Sequence, residues 1–128
     1  MTNRNIFHGQ RILVVEDDYL VVMDLVDQLF ASGAEVIGPL TTVNEALAHI
    51  SSGIDIAAAV LDVNLNGEEA WPVADKLLGM GVPFIFATAY DGSDIPSRFA
   101  GVARYTKPAL PTALVADLAT HLSVQTAA

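Results

Sequence analysis

Short apolar runs rich in β-branched residues alternate with amphipathic stretches along the sequence, and this alternation constrains the fold more than any other feature. The predicted strands lie at residues 12–15, 35–38, 56–61, 82–87 and 102–105. The predicted helices, which show a helical apolar period or begin at a proline, lie at residues 22–30, 43–50, 72–79 and 115–122. Strands that alternate with helices imply right-handed crossovers and a parallel sheet. We therefore expect a doubly wound α/β fold with five parallel strands.

The composition excludes several classes of function. The 128 residues carry 15 acidic and 6 basic side chains, a net charge of −9, whereas nucleic acids and anionic membranes are bound by clustered Lys and Arg. The absence of cysteine excludes disulfides and thiolate metal sites. No apolar run approaches the ~18 residues of a membrane span, and the opening residues lack the apolar stretch of a signal peptide. We expect one cytoplasmic domain with no nucleic-acid partner and no membrane partner.

Polar and charged side chains follow four of the five predicted strands. In chain order they are Glu16 and Asp17, Asp62, Thr88, and Lys107. Because the carboxyl ends of parallel strands meet at one edge of a sheet, we expect these side chains to lie close together. Clustered carboxylates need a counter-charge, which Mg²⁺ can supply. A lysine and a hydroxyl can bind phosphoryl oxygens, and a carboxylate can itself attack phosphorus to form an acyl phosphate.

These residues stand in motifs that resemble the response-regulator receiver domain of bacterial two-component signalling. The motifs are Ile-Leu-Val-Val-Glu-Asp-Asp at residues 12–18, Leu-Asp-Val-Asn-Leu at 61–65, Ala-Thr at 87–88 and Lys-Pro at 107–108. The resemblance covers residues 10–125, which we expect to form a receiver domain. Residues 1–9 would be an N-terminal arm, and no effector domain is expected. It implies a flavodoxin-like sheet with the strand order 2-1-3-4-5.

The resemblance also implies a binding site for Mg²⁺ or Mn²⁺. The implied ligands are Asp17 and Asp62 directly, Glu16 through a water molecule, and the backbone carbonyl of Asn64. Asp18 follows the acidic pair and is expected instead to begin the first helix, where the helix dipole favours an anion.

By the same resemblance, Asp62 would be the phosphoacceptor, and its donor would be a histidine kinase or a histidine phosphotransfer protein. Lys107 would contact the phosphoryl oxygens, and Thr88 would supply the hydroxyl that switches the conformation. Such a protein is not an enzyme in its own right, although slow self-dephosphorylation is expected. Its output would be a conformational change recognised by an unidentified partner protein, or onward phosphotransfer.

The sequence departs from the family pattern at several positions. Asn66 stands where the family usually has a proline, four residues after the phosphoacceptor. Arg104 occupies the usual position of an aromatic switch residue, and the next residue, Tyr105, is either that switch or a packing residue. Pro96 interrupts the short segment before the last strand, so we expect a shortened fourth helix.

The fourth predicted strand resembles that of a subgroup of stand-alone receivers with a Phe-Ala-Thr-Gly-Tyr motif. Residues 86–90 are Phe-Ala-Thr-Ala-Tyr, so Ala89 replaces the glycine. We expect a tighter loop beside the phosphoryl site, since a glycine has been lost there. Tyr90 would shield an acyl phosphate from water.

Other functions are open on the sequence alone. A module with the receiver fold could bind a partner protein without being phosphorylated, which the altered loop and the shortened helix would allow. An aspartyl phosphohydrolase is a second alternative, but such enzymes usually have an acid–base carboxylate where Asn64 stands here. A flavodoxin-like cofactor binder shares the topology, but the acids at residues 16–18 would repel phosphate.

Overall fold

A computed structural model describes residues 6–88, 95–107 and 111–127. The strands are β1 (Arg11–Val15), β2 (Glu35–Leu40), β3 (Ala58–Leu61), β4 (Asn64–Leu65), β5 (Glu68–Glu69), β6 (Phe84–Thr88) and β7 (Arg104–Thr106). Five of them form one parallel sheet in the order β2-β1-β3-β6-β7. Counted along the chain without the β4–β5 hairpin, this order is 2-1-3-4-5. The predicted fold class and strand order are therefore confirmed.

Helices cover both faces of the sheet. They are α1 (Tyr19–Ala31), α2 (Val43–Ser51), α3 (Trp71–Gly79) and α4 (Pro111–Ala127), with a 3₁₀ helix at Ser97–Phe99. Helices α1 and α4 contact each other on one face, and α2 and α3 contact each other on the other face. Helix α4 begins at Pro111, before the predicted start, because a proline is well tolerated in the first turn of a helix. Within the described ranges, no helix is long and apolar enough to cross a membrane.

The central strands are apolar on both sides because each side packs against helices. In β1, Leu13 and Val15 pack in the core beside α2 and α3, whereas Ile12 and Val14 pack in the core beside α1 and α4. All four side chains are at most 1% exposed. Side chains of a strand point alternately to its two faces, so a continuous apolar run is what a doubly covered strand requires.

A cluster of aromatic side chains packs the 3₁₀ helix against α3 and β6. The aromatic cluster consists of Trp71, Phe84, Phe86 and Phe99. Phe99, on the 3₁₀ helix, stacks on Trp71 at a centroid distance of 5.7 Å and is fully buried. Beside it, Arg98 pairs with Asp75 of α3 at 2.7 Å. Between residues 95 and 107 the only helix is this single 3₁₀ turn, in line with the predicted shortening, and residues 89–94 lie outside the described ranges.

Two features near the carboxyl edge of the sheet were not among the predicted elements. The first is the antiparallel β4–β5 hairpin, which directly follows β3. The second is a close approach of β2 to β1 at Gly38, where a Cβ atom would lie only 2.5 Å from the Val14 carbonyl oxygen. Two residues later, the Leu40 carbonyl accepts a hydrogen bond from the Glu16 N–H at 2.9 Å. Both contacts lie at the carboxyl ends of β1 and β2.

Candidate functional site

The residues predicted to form the site lie together at the carboxyl edge of the sheet. Glu16 and Asp17 follow β1, Asp62 follows β3, Thr88 ends β6, and Lys107 follows β7. Backbone hydrogen bonds hold these strand ends in place. The Asp62 N–H donates to the Val15 carbonyl at 2.9 Å, and the Lys107 N–H donates to the Thr88 carbonyl at 2.8 Å. The parallel register therefore brings side chains that are 45 and 91 residues apart into contact.

Lys107 pairs with two buried carboxylates. Its Nζ atom lies 3.3 Å from Asp62 Oδ2, and it also donates a hydrogen bond to Glu16 Oε1. Glu16 and Asp62 are only 4% and 6% exposed. A single ammonium thus faces two carboxylates that have lost most of their hydration. When both carboxylates are ionised, the three side chains together carry one excess negative charge.

Glu16 holds its proton more tightly than an ordinary glutamate. Its pKa is raised from 4.5 to about 7, mainly by burial and also by the adjacent Asp62 carboxylate. The Lys107 ammonium and the Asp18 N–H act in the opposite direction but do not outweigh burial. Burial alone would lower the pKa of Lys107, but its hydrogen bond to Glu16 and the charge of Asp62 raise it above its usual value. Lys107 is therefore charged at neutral pH.

Three carboxylates at this edge have a geometry that fits a divalent cation. Glu16, Asp17 and Asp62 each offer one oxygen, and these oxygens all lie within 4.8 Å of one another. Hard cations such as Mg²⁺ prefer oxygen ligands and commonly use only one or two carboxylates together with water. The donor set and the excess of negative charge are both suited to such an ion.

Asp17 is held from the side by the β4–β5 hairpin. Its Oδ2 atom accepts a hydrogen bond from the backbone N–H of Asn66 at 2.8 Å. Partial burial tends to raise the pKa of Asp17, but the Asn66 N–H and a hydrogen bond with Glu16 outweigh it and lower the pKa below its usual value. Asp17 is consequently ionised at neutral pH. Asp18 donates its N–H to Glu16 Oε2 at 3.1 Å and accepts the first backbone hydrogen bond of α1, as expected for a residue that begins this helix.

The same hairpin orients the backbone carbonyl of Asn64. The Ala70 N–H donates to the Val63 carbonyl at 2.8 Å, so the next pair, Asn64 and Glu69, is a non-hydrogen-bonded pair of the hairpin. The Asn64 carbonyl therefore points away from Glu69. Its N–H lies 3.4 Å from Asp62 Oδ1. This geometry is compatible with the ligand role that the resemblance implies for the carbonyl.

A cleft of about 280 Å³ opens beside the carboxylates, between α1 and the start of α4. Asp62 and Lys107 line one part of it. Its walls include the apolar side chains of Leu20, Leu25 and Leu114, and Leu20 is 89% exposed. A molecule that enters this cleft would contact apolar side chains first and then the charged side chains of Asp62 and Lys107.

Comparison with solved structures identifies the family. SdrG from Pseudomonas melonis Fr1, solved in a BeF3-activated conformation, is 39% identical over 88% of this chain and 95% of its own, with a TM-score of 0.71. The chain belongs to the response-regulator receiver family. A CheY-like receiver domain from Methanospirillum hungatei JF-1 is 26% identical over 92% of this chain and 97% of its own, with a TM-score of 0.78. Neither a family model nor a curated protein matches the sequence.

The remaining receiver residues singled out from the sequence have different surroundings. Thr88 is 1% exposed at the end of β6, next to Thr106 of β7 in the sheet register. Tyr105 packs in the core beside α4, where burial and a hydrogen bond with Asp117 raise its pKa. This contact favours the packing interpretation of Tyr105. Ala89, Tyr90 and Pro108 lie outside the described residues.

Sequence reasoning missed the contribution of Asn66 and Gly67 to this receiver site. The sequence marks Asn66 as a turn residue and as a departure from the family's proline, yet its N–H also contacts Asp17. The signal was available, because Asn-Gly is the preferred dipeptide of a two-residue hairpin turn. Its contact with Asp17, which is 49 residues distant, could not be derived from local preferences.

Proposed function

We propose that this receiver accepts a phosphoryl group on Asp62 from a histidine kinase or a histidine phosphotransfer protein. The observation that carries the proposal is the environment of Asp62. This buried carboxylate lies 3.3 Å from the Lys107 ammonium, and its oxygen is within 4.8 Å of ligand oxygens from Glu16 and Asp17. A nucleophile, a fixed cation and a site for a divalent ion are the parts that phosphoryl transfer requires.

The transfer is a displacement at phosphorus. An Asp62 oxygen forms a bond to the phosphorus of a phosphohistidine while the bond from phosphorus to the imidazole nitrogen breaks. The imidazole leaves with the bonding electrons and takes up a proton. Lys107 provides a positive charge for the phosphoryl oxygens, which gain charge as the transfer proceeds. In this role Lys107 exchanges part of its contact with Asp62 for a contact with the phosphoryl group.

The metal ligands of the proposed site are Asp17 and Asp62, with the Asn64 backbone carbonyl and, through water, Glu16. When bound, Mg²⁺ or Mn²⁺ neutralises charge between the carboxylates and the incoming phosphoryl group. Asp17 is ionised and oriented by Asn66, so it presents a charged oxygen to the ion. Burial and the Asp62 carboxylate raise the pKa of Glu16 because they disfavour its ionised form. A bound cation would stabilise that ionised form and so lower the pKa of Glu16.

Thr88 is the residue that would transmit the change. Its hydroxyl belongs to a buried residue at the end of β6, beside the strand that leads to Lys107. A hydrogen bond from this hydroxyl to a phosphoryl oxygen would shift the carboxyl end of β6. The output is then a change in the surface recognised by a partner protein, or transfer of the phosphoryl group to another histidine.

The donor is a protein that docks over the cleft beside Asp62. Leu20 borders this cleft and is 89% exposed, an arrangement suited to an apolar contact with a partner. The donor's imidazole would enter between this wall and Lys107. Kinases and phosphotransfer proteins of this type act in the cytoplasm, so we place the receiver there. Residues 10–125 form the receiver in this proposal.

Incubation with acetyl phosphate and Mg²⁺ tests the phosphoacceptor. We expect one acid-stable, base-labile phosphoryl adduct by intact-mass measurement, and none in Asp62→Ala. The matched control is Asp55→Ala, because Asp55 is an exposed carboxylate at the opposite edge of the sheet. The SdrG relative has a BeF3-activated conformation, so BeF3⁻ in place of acetyl phosphate should perturb the amide resonances around Asp62. An adduct of equal yield in Asp62→Ala would overturn the proposal.

A second experiment tests the docking surface of the phosphodonor. Leu20→Ala should slow transfer from a phosphorylated histidine phosphotransfer protein about tenfold, since it removes an exposed apolar contact. Transfer from acetyl phosphate, which needs no protein contact, should be unchanged. Phe30→Ala is the control, because Phe30 is 76% exposed on the same helix but does not line the cleft. Equal slowing with both donors would show that Leu20 acts through the fold and not through docking.

A phosphorylation-independent binding module makes different predictions. It would bind Mg²⁺ yet form no adduct with any phosphodonor. An aspartyl phosphohydrolase would instead turn over a phosphomonoester many times, and Asn64 supplies no acid–base carboxylate for that reaction.

A further inference from the structure

We propose that the tip of the β4–β5 hairpin positions Asp17, through the backbone N–H of Asn66. This N–H donates to Asp17 Oδ2 at 2.8 Å, a distance typical of a charge-assisted hydrogen bond. Asn66 is thus a positioning residue of the site, because it touches a predicted metal ligand and not the metal. The consequence for metal binding rests on the function proposed above, whereas the positioning of Asp17 does not.

The direction of this N–H is set by an unusual backbone conformation. Asn66 and Gly67 both have positive φ, 54° and 86°, and together they form the two-residue turn between β4 and β5. A turn with two left-handed residues is accessible to Asn-Gly and costly for most other pairs. The residue types at these two positions therefore determine where the N–H points.

The hairpin is fixed to the strand that carries Asp62. Leu65 is 2% exposed and anchors the hairpin in the core. The Asn64 side chain closes the turn from inside, since its Oδ1 accepts the Gly67 N–H at 2.8 Å. At the base, the Asn64 N–H faces Asp62 Oδ1. One short, braced element consequently contacts Asp62 at its base and Asp17 at its tip.

This bracing has a chemical consequence for Asp17. Asp17 lies in the segment between β1 and α1 and is only partly buried, so its carboxylate would otherwise have more rotational freedom. With Oδ2 bound to the hairpin, the direction of Oδ1 is also determined. The carboxylate is then oriented before an ion arrives, and outer contacts of this kind often change metal affinity by 10–100-fold.

The first test is NMR spectroscopy of the metal-free protein. We expect Asp17→Ala to move the Asn66 amide proton upfield and to speed its exchange with solvent. Asp17→Asn retains an oxygen at that position, so part of the protection should remain. The Gly67 amide is the internal control, because its acceptor lies within the hairpin, and it should keep its protection in both variants. If Asn66 exchanges at the wild-type rate in Asp17→Ala, the proposal is wrong.

The second test measures Mg²⁺ affinity by calorimetry. Asn66→Gly keeps the N–H and the left-handed turn, so its affinity should stay within about twofold of wild type. Asn66→Pro removes the N–H and cannot adopt positive φ, and its affinity should fall about tenfold. Wild-type affinity in Asn66→Pro would contradict the proposal.

A matched pair of glycine variants covers the case in which Asn66→Pro does not fold. Gly67 and Gly53 have φ of +86° and +87°, and a Cβ at either position meets no atom within 4 Å. Alanine strains both turns alike, so the two unfolding midpoints should fall by similar amounts. Only Gly67→Ala should weaken Mg²⁺ binding, severalfold, because only that turn holds Asp17. Equal affinities in the two variants would count against the proposal.

The two tests separate this proposal from the proposed function. A wild-type protein that binds no Mg²⁺ would contradict the metal site. The exchange of the Asn66 amide in metal-free protein would still decide whether the hairpin positions Asp17.

Discussion

Lys107 lies between Glu16 and Asp62, and the balance among these three side chains governs the metal-free site. Two carboxylates with little hydration need a positive charge, and in the metal-free protein the neighbouring ammonium provides one. A bound divalent cation would relieve the remaining repulsion. Stability, protonation and metal binding should therefore respond together to changes in any of the three.

Replacing Lys107 with alanine tests this balance. Removal of one partner of a buried ion pair typically costs about 3–5 kcal/mol, and because the Lys107 side chain is 20% exposed we expect about 2 kcal/mol. Mg²⁺ should restore more stability to Lys107→Ala than it adds to the wild type, since it supplies the missing charge. Urea denaturation with and without EDTA measures both effects. Lys76→Ala removes the other, exposed lysine and should change stability by less than about 0.5 kcal/mol.

The raised pKa of Glu16 predicts a pH dependence of stability. A carboxyl group with pKa 4.5 when unfolded and about 7 when folded binds more protons in the folded state between these values. The free energy of unfolding therefore falls as pH rises from 4.5 to 7, by at most about 3 kcal/mol from this group. In EDTA, Glu16→Gln should lose less stability than the wild type between pH 4.5 and 7. Glu69→Gln, which changes an exposed carboxyl group, is the control and should keep the wild-type pH dependence of stability. The same wild-type pH dependence in Glu16→Gln would contradict this interpretation.

At the scale of elements, the 3₁₀ helix Ser97–Phe99 covers the sheet through one side chain. Phe99 is fully buried among Trp71, Phe84 and Phe86, whereas the Arg98–Asp75 pair beside it is half exposed. Burial of an aromatic ring outweighs an exposed ion pair in stability. The short helix should therefore depend on Phe99 far more than on Arg98.

Truncation of these side chains checks that ranking. Phe99→Ala should lower the free energy of unfolding by about 3–4 kcal/mol and change the fluorescence of Trp71, on which the ring stacks. Arg98→Ala should cost less than about 1 kcal/mol. Phe30→Ala, which removes a ring that is 76% exposed, should be nearly neutral. A small effect of Phe99→Ala would mean that the aromatic cluster repacks around the missing ring.

The contact between β2 and β1 makes a second prediction at this scale. Gly38 has φ +118°, and a Cβ atom there would lie 2.5 Å from the Val14 carbonyl oxygen and 2.8 Å from the Leu40 nitrogen. Gly38→Ala should therefore destabilise the protein by about 2 kcal/mol or more. Gly79→Ala is the control, because a Cβ on this residue of α3 meets no atom within 4 Å and should cause no loss. Chemical denaturation compares the two variants, and equal stability would refute the steric argument.

At the scale of the whole molecule, the proposed metal site would couple ion binding to folding. Its ligands come from the ends of β1 and β3 and are adjacent only in the folded chain. An ion that binds this arrangement stabilises the fold in proportion to the logarithm of its concentration.

This coupling predicts a Mg²⁺-dependent stability. Above the dissociation constant, the free energy of unfolding should rise by about 1.4 kcal/mol for each tenfold increase in Mg²⁺. Thermal or urea unfolding over a Mg²⁺ series measures the slope. Asp17→Ala should flatten it, and Asp55→Ala, which changes a carboxylate far from the site, should not. A wild-type slope in Asp17→Ala would argue that Mg²⁺ stabilises the protein elsewhere.

Local patterns were sufficient to predict most of the architecture. The runs around Leu13 and Val60 are apolar on consecutive residues because both faces of their strands are buried, so doubly covered strands could be recognised from sequence. Strand starts were less well predicted, since β3, β6 and β7 each begin two residues after the predicted start, at Ala58, Phe84 and Arg104. The residues just before each start are apolar and partly buried but lie outside the strand, so hydrophobicity alone does not place the boundary.

By itself, the sequence determined the parallel sheet and the edge at which Asp17, Asp62 and Lys107 meet, and its resemblance to the receiver family implied the strand order. Local periodicity and crossover handedness suffice for the sheet and its edge, because they act on neighbouring residues and on connections of fixed hand. Only the tertiary structure decided the contact of Asn66 with Asp17, the stacking of Phe99 on Trp71 and the raised pKa of Glu16. These depend on distances between residues far apart in the chain, and such distances exist only once the core has packed.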